Sequence, residues 1–168
     1  MTIETFLPHF AKTLFGTDLQ ERLEQAAAEV ARFFAVEPHE VAYFQFDANR
    51  STAIFRWPPQ ARSGPPLPLK AFATSLVSAT ARTEKGFINN AFVTTPHLHM
   101  FEHLLAEPVQ RLPIQKIMSA PVCKDNTPRG VIQVCRKGRN LESAGTDFSD
   151  EDLLHLQQIA AVLARFGL

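Results

Sequence analysis

The stretch IMSAPVCKDNTPRGVIQVCRKG, residues 117–138, with FSDEDLLHLQQIAAVLA, residues 148–164, decides the fold. Two runs of apolar and β-branched residues, 117–123 and 131–137, flank KDNTPRG, whose Asp, Asn, Pro and Gly are turn formers, so the stretch reads as a β-hairpin. Ser149 followed three positions on by Asp152 marks a helix start. Leu153, Leu156, Ile159/Ala160 and Leu163 then recur at helical spacing to the end of the chain.

Working outward, EVAYFQFDANRSTAIFRWPP reads as a second hairpin, Val41–Phe46 and Thr52–Trp57, joined by DANRS. Upstream, Thr17 with Gln20 three on resembles a capping box, and Leu19, Leu23, Ala26, Val30 and Phe33 give a long amphipathic helix ending near Pro38. Phe6, Phe10 and Leu14 mark a shorter helix that Gly16 interrupts. The proline-rich PPQARSGPPLPL reads as a loop, because proline cannot donate to a sheet ladder. KAFATSLVSATART predicts a helix with Phe72, Leu76 and Ala79 along one side, and GFINNAF a short extended segment. Thr95 and Pro96 predict a further helix over residues 95–108, stopped by Pro108. The whole describes an α+β domain, a central antiparallel sheet with N- and C-terminal helices packed on one face. Its organisation is a helical extension over residues 1–16 and one domain over 17–168.

Bulk properties exclude several classes of function. With 168 residues, 45% of them hydrophobic and 14 phenylalanines, the chain can bury one sizeable core. Lys+Arg and Asp+Glu both number 17, so no long-range positive field gathers phosphate backbones, and nucleic acid is not an expected partner. The start MTIETFLPHFAKTLFG lacks a basic leader and no run reaches membrane-spanning length, which predicts a cytoplasmic protein with no membrane partner and reduced thiols. Cys123 and Cys135 form no Cys-x-x-Cys pair.

The C-terminal hairpin, ending in Gly130-Val-Ile-x-Val and leading to Phe148-Ser-x-x-Asp and the last helix, resembles the C-terminal half of a GAF domain. ARTEKGFINNAF is similar to the segment of that family that crosses the mouth of a ligand pocket. The resemblance covers roughly residues 18–166. It implies a sensing or signalling module whose sheet holds a small molecule on one face while its terminal helices pair with a second copy. The ligand or cofactor is not specified by it, because fold alone does not settle function.

Relatives that bind cyclic nucleotides often carry Asn-Lys, then Phe, then Asp-Glu. Here Lys137, Phe148 and Asp152 fall on the Lys, Phe and first acidic positions, but Arg136 replaces Asn and Leu153 replaces Glu. Lys137 and Asp152 are therefore expected to form a structural clip between the last strand and the last helix. The catalytic relatives implied by the resemblance, which reduce free methionine sulfoxide, work through cysteines in loops at the pocket. A hairpin pivoting near Asn126 sets Cys135 opposite about position 118, so Cys123 is about 16 Å away at strand rise. That exceeds the roughly 7 Å between Cα atoms that a disulfide needs, and both cysteines read as small core fillers.

His99-x-x-Glu102-His103 has the order of an inverted zinc-protease motif. On a helix, however, Leu98, Phe101 and Leu105 share one side while His99 and His103 point roughly opposite and His97 lies far from both. The histidines, with Glu107 continuing their stripe, are thus expected to face water, where they hold a divalent ion only adventitiously, and no catalytic metal is expected. A metal-dependent hydrolase or a sulfoxide reductase is the enzymatic alternative to a non-catalytic sensor.

Strand alternation groups Tyr43, Gln45, Ile54, Arg56, Ser119, Cys123, Gln133 and Cys135 as one parity set. Tyr43, Gln45, Arg56, Ser119, Gln133 and Cys135 are the candidate ligand-binding residues, and no catalytic residue is named. The opposite set, Phe44, Phe46, Phe55, Trp57, Val122, Ile132 and Val134, suits packing against the terminal helices. A second apolar edge at Ala27, Ala31 and Phe34, with Leu163 and Phe166 on the last helix, predicts a homodimer through those helices. The remaining expected partners are a small-molecule ligand and a signalling protein.

Overall fold

A computed structural model describes every residue except Thr17, 71–73 and 97–107, and describes Ser63 and Val109 by backbone alone. Its elements are α1 (Ile3–Thr13), α2 (Leu19–Phe34), β1 (Val41–Phe46), β2 (Thr52–Trp57), β3 (Leu67–Pro68), α3 (Leu76–Thr83), β4 (Phe87–Asn89), β5 (Ile114–Lys124), β6 (Thr127–Lys137) and α4 (Asp150–Arg165). The strands form one sheet in the order β3-β2-β1-β6-β5-β4, every neighbouring pair antiparallel. The fold class is α+β, as the hairpin-and-helix order predicts.

Both hairpins form where turn chemistry places them. In the first, Asp47 is the organiser: its Oδ1 accepts from the backbone N–H of Ser51 at 2.7 Å and of Thr52 at 3.1 Å, and its Oδ2 from the Ser51 hydroxyl at 2.6 Å. In the second, Asp125 and Asn126 adopt left-handed backbone, a conformation that Asn and Asp tolerate better than most residues. The second hairpin is longer than its apolar runs indicate, because pairing continues from Lys124↔Thr127 out to Ile114↔Lys137.

The helices are capped by side chains. Asp18, one residue beyond the expected Thr17, accepts from the Glu21 N–H at 2.8 Å to open α2. Ser149 and Asp152 form the expected capping box on α4: the Asp152 N–H donates to Ser149 Oγ at 3.1 Å and the Ser149 N–H to Asp152 Oδ2 at 2.8 Å. Two readings are corrected. The proline-rich segment contains a strand, β3, at the sheet's edge, where the missing N–H of Pro68 is tolerated. The buried residues of α3 are Val77, Ser78, Thr80 and Ala81; Leu76 packs against the same cluster partly buried, as expected, whereas Ala79 is not among its members. Phe72, Thr17 and the helix expected over residues 95–108, with His97, Leu98, His99, Phe101, Glu102, His103, Leu105 and Glu107, fall wholly or mainly outside the described residues. Thr95 closes a 3₁₀ turn at Phe92–Thr94, and Pro108 opens another at Pro108–Arg111.

The sheet separates two apolar clusters. On one side α1, α2 and α4 pack over Val41, Tyr43, Trp57, Met118, Ala120, Val122, Ile132 and Val134. Phe6 and Phe10 of α1 are fully buried there, their rings stacked with centroids 5.2 Å apart. Ala27, Ala31 and Phe34, expected to face a second copy, are buried in this same cluster, which α1 shares. On the other side α3 and the connecting segments cover Ala42, Phe44, Ala53, Phe55, Ile117, Val131 and Cys135.

Three polar ties hold the layers together. Arg136 donates to the carbonyl oxygens of Phe34 at 3.1 Å and Ala35 at 3.3 Å, and its guanidinium lies 4.8 Å from the centre of the Phe148 ring. Lys116 donates to Gly145 O and Asp147 Oδ1 at 2.6 and 2.7 Å, pinning the loop before α4. Asn90 makes a two-point clamp on Phe148, giving its Nδ2 to the carbonyl and taking the N–H at its Oδ1, both at 2.9 Å.

Gly130, the first residue of the Gly-Val-Ile-x-Val run, sits where β1 crosses closest to β6. A Cβ there would drive into the carbonyl oxygen of Phe44 and press on the Tyr43 ring. Gly130→Ala is therefore expected to destabilise the fold by about 1–3 kcal/mol, as overpacking does, read as a lower urea midpoint. Phe6→Ala should cost about 3–5 kcal/mol by the same measurement if α1 is part of the core, and near nothing if it is an appendage.

Candidate functional site

The six candidate ligand-binding residues do not form one site. Tyr43 pairs with Ile132, and Ala42 with Gln133, so the side chains of Tyr43 and Gln133 emerge on opposite faces of the sheet. β2 also carries an extra residue, Arg56, between Trp57, which faces Tyr43, and Phe55, which faces Phe44. Tyr43, Gln45 and Arg56 consequently lie on the terminal-helix face. Ser119, Gln133 and Cys135 lie on the α3 face. The opposite parity set divides likewise: Trp57, Val122, Ile132 and Val134 meet the terminal helices, while Phe44, Phe46 and Phe55 meet the α3 side.

On the terminal-helix face the polar groups serve packing. Arg56 Nε donates to Gln45 Oε1 at 2.8 Å. The Tyr43 hydroxyl is buried, and that burial pushes its pKa well above the ordinary phenol value, with Arg56 opposing the rise. A group so desolvated stays neutral across the physiological range.

The α3 face carries a buried polar row. Thr80 Oγ1 and Ser119 Oγ share a hydrogen bond at 2.8 Å, and Gln133 Nε2 donates to Ser119 Oγ at 3.2 Å. Thr80 and Ser119 have no exposure and Gln133 only 6%. The Gln133 side-chain carbonyl accepts from no described residue. Around the row stand Ile117, Val131 and Cys135 from the sheet and Val77 and Ala81 from α3. Phasing α3 on its apolar residues leaves Thr80 out. The available signal was Val77, Thr80 and Ala81 at helical spacing, a mixed stripe suited to a sheet face with its own polar row.

The cysteines stay apart. Cys135 faces Ile117 and Cys123 faces Pro128, six positions further along β5, or roughly 20 Å at strand rise. Neither is in a disulfide. The Cys123 thiol is pushed up first by burial and then by the carboxylate of Glu84, against which Arg50 pulls it down. A raised thiol is a poor nucleophile at neutral pH.

Lys137 and Asp152, the expected clip, each have other hydrogen-bond partners. Lys137 Nζ donates to the Gln110 carbonyl at 2.8 Å on the α3 side, its backbone N–H donates to Glu40 Oε1 at 2.6 Å, and Asp152 is engaged in capping its own helix. The neighbouring Arg136 ties the last strand to the start of α4. Among the described residues no group of three or more His, Cys, Asp or Glu is placed to hold a metal, and none of the helices is long and apolar enough to cross a membrane.

Other concavities flank the sheet. One, of about 310 Å³, lies between the β1–β2 turn and α3, lined by Phe46, Asn49, Arg50, Leu69, Ala81 and Arg82. Another, of about 530 Å³, runs between α1 and α4.

This architecture has close counterparts. The chain is similar to the GAF domain of an Acinetobacter phosphoenolpyruvate-protein phosphotransferase, 17% identical, TM-score 0.71, covering 97% of this chain and 90% of that one. It is similar also to a free methionine-R-sulfoxide reductase from Neisseria meningitidis solved with its substrate, 15% identical, TM-score 0.66, covering 98% and 87%. A third is residues 122 to 287 of a methyl-accepting chemotaxis protein, 16% identical, TM-score 0.60, covering 96% of each. At these identities the likeness is one of fold. No curated relative matches the chain. The model of the GAF domain matches residues 18–165, the span that holds all six strands and the helices from α2 to α4, and the chain therefore belongs to the GAF domain family.

Proposed function

We propose that the chain is a non-catalytic, small-molecule-sensing GAF module of the cytoplasm that works as a homodimer and passes its state to a signalling protein. The observation that carries this reading is the Thr80–Ser119–Gln133 row beneath α3: three polar side chains buried in an apolar cluster, with the Gln133 carbonyl available as an acceptor. A few placed polar groups among apolar walls are what fixes the orientation of a small ligand. Against a sulfoxide reductase of the kind seen among the structural neighbours stands the chemistry of the thiols. They lie too far apart to resolve one another, and Cys123 is held protonated.

For assembly, the support is the groove between α1 and α4, walled by Leu7, Pro8, Ala11, Ala161, Val162 and Phe166. Gln158 lines it with a buried side-chain carbonyl that meets no hydrogen-bond partner among the described residues. Phe15, 75% exposed, stands edge-to-face on Phe166 beside it, 5.1 Å between ring centres.

Native mass spectrometry of freshly purified protein tests the sensing reading. A small retained mass is expected in the parent and should vanish in Gln133→Leu, a variant expected to stay folded at a cost of about 1 kcal/mol for the lost hydrogen bond. No retained mass in either, or reduction of methionine sulfoxide that disappears in Cys123→Ser, would overturn it. Assembly is tested by sedimentation at tens of micromolar: the parent is expected to run as a dimer and Ala161→Glu, which sets a charge in the groove without disfavouring helix, as a monomer.

A further inference from the structure

The cleft between the β1–β2 turn and α3 is cationic at its rim and apolar at its floor. Arg50 and Arg82 stand at the rim with Asn49, while Phe46, Leu69 and Ala81 form the base. Its volume, about 310 Å³, is at the small end of the range for ligand pockets. Two details show that Arg50 is held there at a cost. Its backbone lies in the left-handed region, φ 53°, where a residue with a Cβ is strained. Its one ion-pair partner among the described residues, Glu84, is itself left-handed at φ 56°, and the Nη2 to Oε1 separation is 3.7 Å. That exceeds the 2.7–2.9 Å typical of charge-assisted hydrogen bonds, so the guanidinium fork keeps donors to offer. Asp47 makes no ion pair with Arg50 among the described residues, and both its oxygens accept hydrogen bonds within the turn.

We infer that this cleft binds the acid group of a small organic anion, a carboxylate or phosphate ester with a compact apolar body, with Arg50 as the anchoring charge and Phe46, Leu69 and Ala81 as the apolar seat. A planar guanidinium matches the paired oxygens of such acids, and Arg82 adds positive potential from the last turn of α3. The inference rests on the sensing reading for the purpose of the site, and names the chemical class of the ligand. It also gives the ligand an effect. An acid group at Arg50 competes with Glu84 at the C-terminal cap of α3, the helix that covers the buried polar row.

The test is a ¹H–¹⁵N NMR titration with phenyl phosphate as probe and benzylamine as the opposite-charge control. Phenyl phosphate is expected to shift the amides of Phe46, Asn49, Arg50, Leu69 and Ala81 with an affinity that weakens as salt is added, while benzylamine shifts none of them. Arg50→Gln should weaken the probe at least tenfold. Arg50→Gly should do the same while melting no lower than the parent, because glycine takes the left-handed conformation without strain, which separates lost binding from lost fold. Probe binding that is unchanged in both variants, or shifts confined to other parts of the molecule, overturns the inference. A retained native ligand that lacks an acid group also overturns it and leaves the sensing reading intact. Localised, Arg50-dependent probe binding in a protein that retains no mass supports the anion site and counts against the polar row as its companion.

Discussion

β1 lies against β6 at a position that has no side chain, Gly130. The Phe44 carbonyl and the Tyr43 ring occupy the space that a Cβ would need, so a larger residue there would press on the pairing of β1 with β6. β6 pairs with β1 on one edge and β5 on the other, so whichever way β1 is phased against β6 fixes which side chains meet the terminal helices. A slip of one residue would send Ile132 and Val134 to the α3 side and bring Gln133 under α2, exchanging an apolar core for an unsatisfied amide. Close backbone approach is thus the device that separates a dry face from a polar one in this molecule.

Much of the fold was legible from local signals. Turn chemistry at DANRS and KDNTPRG located both hairpins, and Ser149 with Asp152 located the last helix, because these features depend on residues within a few positions of one another. The candidate site was only half legible. Alternation along one strand says which side chains share a face, but not how that strand is phased against a neighbour far away in sequence. The bulge at Arg56 compounds the difficulty by moving Trp57 to the face of Tyr43. Parity alone therefore groups Tyr43, Gln45 and Arg56 with Ser119, Gln133 and Cys135. Strand alternation also decides which basic residue meets the helices: adjacent strand residues point to opposite faces, and it is Arg136 that reaches α2 and Phe148.

The N-terminal segment shows how a helix changes the reading of its neighbours. Ala27, Ala31 and Phe34 look surplus when α2 is considered with the sheet alone. Once α1 brings Phe6 and Phe10 against the same layer, that apolar edge is satisfied within the chain, and the uncovered apolar surface moves to the seam between α1 and α4. At the C-terminal end of α4, Arg22 donates to the Phe166 carbonyl at 2.8 Å, so the first long helix and the last are fastened near the place where the seam opens.

The rims of the sheet are its two shortest strands, β3 with two residues, one of them a proline, and β4 with three. Unpaired strand edges are templates for adding further strands, and short or proline-bearing edges offer little backbone to recruit them. Copies of this chain held at high local concentration are consequently poor at stacking edge to edge into extended ribbons. Side-chain surfaces, where geometry and charge discriminate among partners, are then the surfaces the fold leaves open for recognition.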